Sequence, residues 1–381
     1  MLRMTMKVGT IALSMIALAA TGALAQDAKP ADAKPAAGAV TELNFGVIAT
    51  EATSNLKTVW EPFLAEMEKG TGLKIKAFFA SDYAGIIEGM RFNKVQVAWY
   101  GNKSAMEAVD RAEGEVFVQS VASDGAPGYY SHLIVHKDSP IQKLEDVLKC
   151  DKTLDFGIGD ANSTSGFLVP MTFVFAANKV DPKACFKVVR AANHEANALA
   201  VANKQVNVAA NNNENLERLK KTNPAALENI RVIWTSPLIA SDPLVWRKDL
   251  DASVKAKLYT FLMSYGRVGD EATVKAQMGV LNALGWAPFR PSSNDQLLAI
   301  RQLEIARKQL KIEGDDKITA EDKAKQLAAV KADAEKISAE VKVAETSDRT
   351  KKLAAFLEAD KAAKADDVKK MIADAAAALA K

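Results

Sequence analysis

Residues 154–202, LDFGIGDANSTSGFLVPMTFVFAANKVDPKACFKVVRAANHEANALAVA, decide the fold. The stretch opens on a short apolar run, 154–157, that reads as a strand. A small polar loop leads into a helical run over 166–178. Residues 186–189 then read as a second strand and 194–202 as a second helix. Strand, helix, strand and helix joined by short connections are the pattern of an α/β unit with a mostly parallel sheet.

The same alternation runs outward in both directions. Upstream, 43–48, 73–79, 95–99, 116–121 and 131–135 read as strands. Between them lie helical faces such as Leu56, Val59, Trp60, Phe63, Leu64 and Met67. Downstream, strands at 206–210 and 230–234 flank a helix at 214–221. After Trp246 the pattern is mainly helical, at 252–265, 271–284 and 295–310. The expected layout is one lobe over 41–137, a second over 138–242, and a return to the first lobe with further helices over 243–311.

Composition bounds the function classes. A chain of 381 residues, 49% hydrophobic and 25% charged, can bury two or three domains. Lys+Arg 50 against Asp+Glu 47 leaves +3, too small a field to point to nucleic acid as a partner. Three His and two Cys are too few for a zinc cluster, and no metal or other cofactor is expected. Nucleotide-binding glycine loops, a G-x-S-x-G elbow and an H-E-x-x-H helix are all absent, so nothing supports an enzyme.

The two ends of the chain differ from its middle. Residues 1–25 carry Arg3 and Lys7, an apolar stretch over 8–20, and Ala23-Leu24-Ala25, the layout of a cleaved signal peptide. Export to the periplasm of a Gram-negative cell follows, without the Cys that a lipoprotein needs after the cleavage site. Residues 26–40 repeat DAKPA, with Pro30 and Pro35 breaking any helix, and read as a flexible linker. Residues 312–381 form an Ala/Lys-rich helical tail. In it Leu327, Val330, Ala334, Ile337, Val341 and Ala344 make a heptad seam. That seam either packs along its own domain or joins two copies as a homodimer.

One loop stands out chemically. Asn162, Ser163, Thr164, Ser165 and Gly166 lie between a strand and a helix. Hydroxyls there cap the helix, and its first N–H groups with the helix dipole make an anion site. Many such loops only cap. Pro170 must free the carbonyl of Gly166 four residues earlier. His194 opens a helix and can cap or donate to an anion. Asn211, Asn212 and Asn213 before Glu214 read first as a capping cluster, and Asp242 before Pro243 as a turn. Tyr83 and Tyr129 lie at strand–loop edges.

Six segments, taken in order, resemble one family. They are FFASDYAGIIEGMRFNKVQVAWYG (78–101), DGAPGYYSHLIVHKDSP (124–140), FGIGDANSTSGFLVP (156–170), HEANALAVANKQVNVA (194–209), SPLIASDPLVWRKDL (236–250) and GWAPFRPSS (285–293). The chain resembles the phosphonate-binding periplasmic proteins of ABC importers, the PhnD type, from Leu43 to Leu303. The resemblance implies a type II periplasmic binding protein, two α/β lobes joined by two crossing strands that close on a ligand. It implies that Tyr83, Ser163, Thr164, Ser165 and His194 hold a phosphonate, that Tyr129 lines the pocket, and that Glu214 and Asp242 hold an ammonium group. Departures are Asn207, where the family leads one to expect Asp, the two cysteines, the linker and the tail.

The function implied is capture of an aminoalkylphosphonate such as 2-aminoethylphosphonate. Delivery would be to a membrane permease driven by a separate ATPase. The alternatives are a binder of phosphite, methylphosphonate or phosphate, a secreted phosphoryl-transfer enzyme, and a sensory co-receptor. Cys150 and Cys185 each lie just upstream of a second-lobe strand, and export supplies an oxidising compartment, so a disulfide between them is expected.

Overall fold

A computed structural model describes residues 42–381; the expected signal peptide and linker lie outside the described residues. The first lobe starts with β1 (Glu42–Val47), α1 (Thr53–Thr71), β2 (Lys74–Phe79), α2 (Tyr83–Arg91), β3 (Val97–Trp99), α3 (Asn102–Arg111) and β4 (Gly114–Ala122). The chain crosses through β5 (Gly128–Tyr129) into the second lobe. That lobe holds β6 (Ser131–His136), α4 (Leu144–Val147), β7 (Asp155–Ile158), α5 (Pro182–Cys185), β8 (Val188–Ala191), α6 (His194–Ala202), β9 (Val208–Asn212), α7 (Asn213–Thr222), α8 (Pro224–Leu227) and β10 (Ile230–Thr235). It crosses back through β11 (Ile239–Ala240) to β12 (Pro243–Arg247), α9 (Ala252–Ser264), α10 (Glu271–Leu284) and β13 (Trp286–Pro291).

The first sheet has the order β13-β4-β12-β3-β1-β2 and the second β10-β6-β9-β7-β8. The expectation of mostly parallel sheets holds only within each run of alternating strands and helices. β1 pairs in parallel with β2 and β3, and β7 with β8 and β9. β12 is antiparallel to both β3 and β4, and β6 is antiparallel to β9. The reversed strands are β6 in the second sheet and β12 and β13 in the first; β6 and β12 are the first strands of each sheet that the chain enters from the opposite lobe. Ser131–His136, which the sequence reading puts in the first lobe, pairs with β9 and β10 of the second sheet. Its alternating apolar residues fit either sheet, so only the pairing settles where it belongs.

Between the lobes β5 and β11 pair antiparallel, Tyr129 opposite Ile239 and Gly128 opposite Ala240. A Cβ on Gly128 would stand 2.0 Å from the Ile239 carbonyl oxygen, so this crossing requires glycine. The first core is aromatic: Trp60 packs on Phe45, Trp99 and Trp286 with ring centroids 5.3–5.4 Å apart. The second centres on Phe156, Phe175 and Phe186. Cys150 and Cys185 form the expected disulfide, joining the chain ahead of the parallel neighbours β7 and β8.

The tail wraps its own lobe. After α11 (Leu298–Glu313) come α12 (Ala320–Thr346), α13 (Asp348–Lys361) and α14 (Ala365–Leu379). α12 packs along α11, and Val330 and Ile337 of the heptad seam are buried within the chain. Phe356, Val368 and Ile372 join the first-lobe core. Arg267 grips Asp360 through two hydrogen bonds, of 2.8 and 3.1 Å. The seam offered as a dimer surface is thus covered by the chain's own helix.

Candidate functional site

Every parallel strand next to the cleft ends there. After the carboxyl end of β1 come Thr50 and Glu51, after β2 Tyr83, and after β3 Gly101. After β7 come Ser163, Thr164 and Ser165, after β8 His194, and after β9 Glu214. Ligands of α/β sheets bind outside the carboxyl ends of the strands for this reason: the loops gather there and helix N-termini point inward. All eight expected residues, Tyr83, Tyr129, Ser163, Thr164, Ser165, His194, Glu214 and Asp242, line one small cavity.

The hydroxyl loop is held by second-lobe bonds. Ser163 Oγ accepts from the Gly166 N–H at 2.9 Å, the capping bond expected from the sequence. The helix that follows is wound as π-helix over Thr164–Leu168 and Met171–Phe175 rather than as one α-helix. Pro170 leaves the Gly166 carbonyl without its helical donor, and the Gly159 N–H takes it at 2.8 Å. A Cβ on Gly159 would sit 2.6 Å from the Gly166 Cα, so only glycine allows this approach. Ser131 Oγ donates to the Ser165 carbonyl at 2.6 Å, and Asn212 Nδ2 donates to Ser165 Oγ at 3.0 Å.

His194 Nε2 lies 3.4 Å from Ser163 Oγ and 3.5 Å from Ser165 Oγ. Burial, aided by the Arg218 charge, pushes its pKa down to about 3 in the protein alone. The ring is therefore neutral and has one N–H to give. Among the described residues its Nδ1 has no hydrogen-bond partner, and neither do two other buried atoms of residues lining the cavity, Thr50 Oγ1 and Trp99 Nε1. A serine–histidine hydrolase needs a third group to orient the imidazole. Among the described residues no carboxylate bonds the His194 ring, and Ser163 Oγ caps the helix through the Gly166 N–H.

The carboxylate end is assembled from separate parts. Tyr129 Oη donates to Asp242 Oδ1 at 3.0 Å, and Asn102 Nδ2 donates to the same oxygen at 3.2 Å. Burial and the neighbouring Glu214 hold the Asp242 pKa well above the usual carboxylate range. Burial also raises Glu214, against the pull of Arg218. Burial, with Asp242 nearby, raises the hydroxyls of Tyr83 and Tyr129, which stay protonated as donors.

The two lobes touch across the cleft. Thr164 Oγ1 accepts from the Lys103 N–H at 2.8 Å, and Asp160 Oδ2 from the Tyr83 N–H at 3.2 Å. Glu195 accepts from the Ala52 N–H at 2.8 Å and from Asn55 Nδ2 at 2.6 Å. Arg218 pairs with Glu51. The sequence reading missed Asn212, Arg218, Glu51 and Trp99 as site residues. Arg218 had a signal, lying four residues after Glu214 on one helix; Glu51 had none beyond its place after the first strand.

Comparison with known proteins gives a consistent result. A family profile described as "ABC transporter, phosphonate, periplasmic substrate-binding protein" matches residues 45–297. The "Phosphonates-binding periplasmic protein" of Escherichia coli K12 is 57% identical over 281 residues, 74% of this chain and 81% of the relative. The crystal structure of a binding protein component of an ABC phosphonate transporter from Pseudomonas aeruginosa aligns with TM-score 0.77 and 52% identity. That alignment covers 80% of this chain and 99% of the other. A Prochlorococcus marinus protein in complex with methylphosphonate shares the fold, at TM-score 0.62 and 22% identity, over 71% of this chain and 99% of its own.

Proposed function

The chain belongs to the periplasmic substrate-binding proteins of phosphonate ABC transporters, and we propose that its ligand is an aminoalkylphosphonate, with 2-aminoethylphosphonate the best fit. Members of this family bind and deliver a substrate; they are not enzymes. The observation that carries the choice of ligand is the make-up of the cavity: hydroxyls, an imidazole and a helix start share one lining with two buried carboxyls. Ser163, Thr164, Ser165, Tyr83 and His194 would donate to the phosphonate oxygens, with Tyr129 beside them. Glu214 and Asp242 would take the ammonium group, the one partner that repays burying two acids together. The loaded protein would dock on a membrane permease driven by a separate ATPase. Cleavage after Ala25 would release it into the periplasm.

A second reading, a phosphite, methylphosphonate or phosphate binder, has one observation behind it. Burial raises both carboxyl pKa values, and a protonated acid can donate to an oxyanion. Calorimetric titration with 2-aminoethylphosphonate, ethylphosphonate and phosphate separates the two. The amine compound should bind at least about tenfold more tightly than ethylphosphonate, the worth of one charge-assisted hydrogen bond. Equal affinities would give the site to the amine-free ligands.

A further inference from the structure

We infer that Glu51 and Arg218 form a charge switch that frees Glu214 for the ligand's cation only when the cleft closes, an inference that rests on the amine-bearing ligand proposed above. Arg218 follows Glu214 by four residues on α7, the spacing at which a carboxylate and a guanidinium pair along a helix. In the closed cleft Arg218 does not use that partner. Its Nε bonds Glu51 Oε1, from the loop after β1 in the other lobe. Among the described residues no side-chain hydrogen bond or ion pair engages the Glu214 carboxylate. Both Arg218 and Glu214 line the cavity.

The arrangement poses a problem that the pairing resolves. A guanidinium beside the carboxylate meant for an ammonium would repel that ammonium and occupy its acceptor. Glu51, only 7% exposed, cancels the charge where it stands. Opening the cleft carries Glu51 away with the first lobe and leaves Glu214 as the natural partner of Arg218. Closing returns Glu51, draws the guanidinium across, and leaves Glu214 free. The loop bearing Glu51 is fixed in that position by its neighbours Ala52 and Asn55, both bonded to Glu195. Glu51 and Arg218 are thus positioning residues for cation selectivity. A contact that merely held the lobes shut would act on every ligand alike.

That difference is the test. Dissociation constants of 2-aminoethylphosphonate and ethylphosphonate are measured for the full chain, for Glu51→Gln, for Arg218→Gln and for the double variant. Each ratio is taken on one protein preparation, so loss of folded fraction cancels. Glu51→Gln leaves Arg218 unbalanced and should weaken the amine ligand by about 10- to 100-fold, with less than about a threefold change for ethylphosphonate. Arg218→Gln should keep the preference for the amine. The double variant should restore the wild-type ratio to within about threefold. Equal weakening of both ligands by Glu51→Gln, or a double variant no better than Glu51→Gln alone, would overturn the switch. Were Glu51→Gln not to fold, loss of the amine preference in Arg218→Gln would overturn it as well. A wild type without amine preference would remove the proposed ligand and the switch with it; an intact preference indifferent to residue 51 would remove the switch alone.

Discussion

In the cavity Ser163, Thr164 and Ser165 stand on a single loop, braced by Gly166, Asn212 and Ser131 of the second lobe and reached from the first lobe only by the Lys103 N–H on Thr164. At the carboxylate end, Asp242 comes from the return crossing, Tyr129 from the outward crossing, Asn102 from the first lobe and Glu214 from the second. The hydroxyl loop itself is local: a strand, a turn and a capped helix shape it, and Ser131 and Asn212 brace it. The carboxylate end exists only when four separated segments meet. Local construction makes an end that takes any tetrahedral oxyanion of the right size. Distributed construction makes an end whose chemistry depends on closure, which is where discrimination between ligands can reside.

Removing the disulfide should produce the largest effect, a loss of stability that leaves the carboxylate end as it was. Cys150 and Cys185, 35 residues apart, tie the chain ahead of β7 and β8, the strands whose far ends lead to Ser163 and His194. In the chain-entropy model a loop of that size contributes about 3–4 kcal/mol. Cys150→Ser with Cys185→Ser should cost roughly that much in denaturant unfolding, while the preference for the amine ligand in the folded protein stays as it was. A shift in preference would mean that the two ends are mechanically linked and the contrast drawn above is too sharp.

Single substitutions at the two ends should separate them by ligand. Thr164→Ala removes a hydroxyl that accepts from the Lys103 N–H and can donate to a phosphonate oxygen. It should weaken 2-aminoethylphosphonate and ethylphosphonate alike, by about 10- to 100-fold, the worth of a charge-assisted bond. Asp242→Asn keeps an oxygen for Tyr129 and Asn102 but removes the charge. It should weaken the amine ligand by a similar factor and leave ethylphosphonate equal or better, since a repulsive carboxylate is gone. Titration of both ligands against both variants reads the four values. Parallel losses in Asp242→Asn would show the residue to be only a brace for the crossing.

This contrast also explains what the sequence made legible. The loop 162–166 could be read because a capping hydroxyl and a helix start are set by neighbours in the chain, and Pro170 even identified the carbonyl that Gly159 now serves. The two-lobe alternation and the disulfide were legible for the same reason: each follows from local pattern and strand starts. The lobe to which β6 belongs was not, because register is decided by β9 and β10, far along the chain. The winding of 164–175 as π-helix was foreshadowed only as a kink. Glu51 and Arg218 meet across 167 residues and between lobes, and no local pattern records such a pair.

The smallest effect is a proton. Burial raises the pKa of Asp242 well above its ordinary 3.8 and that of Glu214 above 4.5 in the protein without ligand. From those ordinary values up to the raised ones, the empty closed site holds a proton that a solvated carboxylate would have lost. An arriving ammonium favours the ionised form, so the proton leaves as the amine binds. Above the raised values both acids are already ionised and nothing is released. Calorimetry of 2-aminoethylphosphonate just above the ordinary carboxylate range, repeated in two buffers of different ionisation enthalpy, should therefore show proton release that fades as the pH rises past the raised values. Asp242→Asn should reduce that release. The ligand's own phosphonate proton cancels when the wild type and Asp242→Asn are compared with the same ligand, so that difference isolates the carboxylate end. Equal counts for the two proteins would show that the Asp242 carboxyl does not change charge on binding.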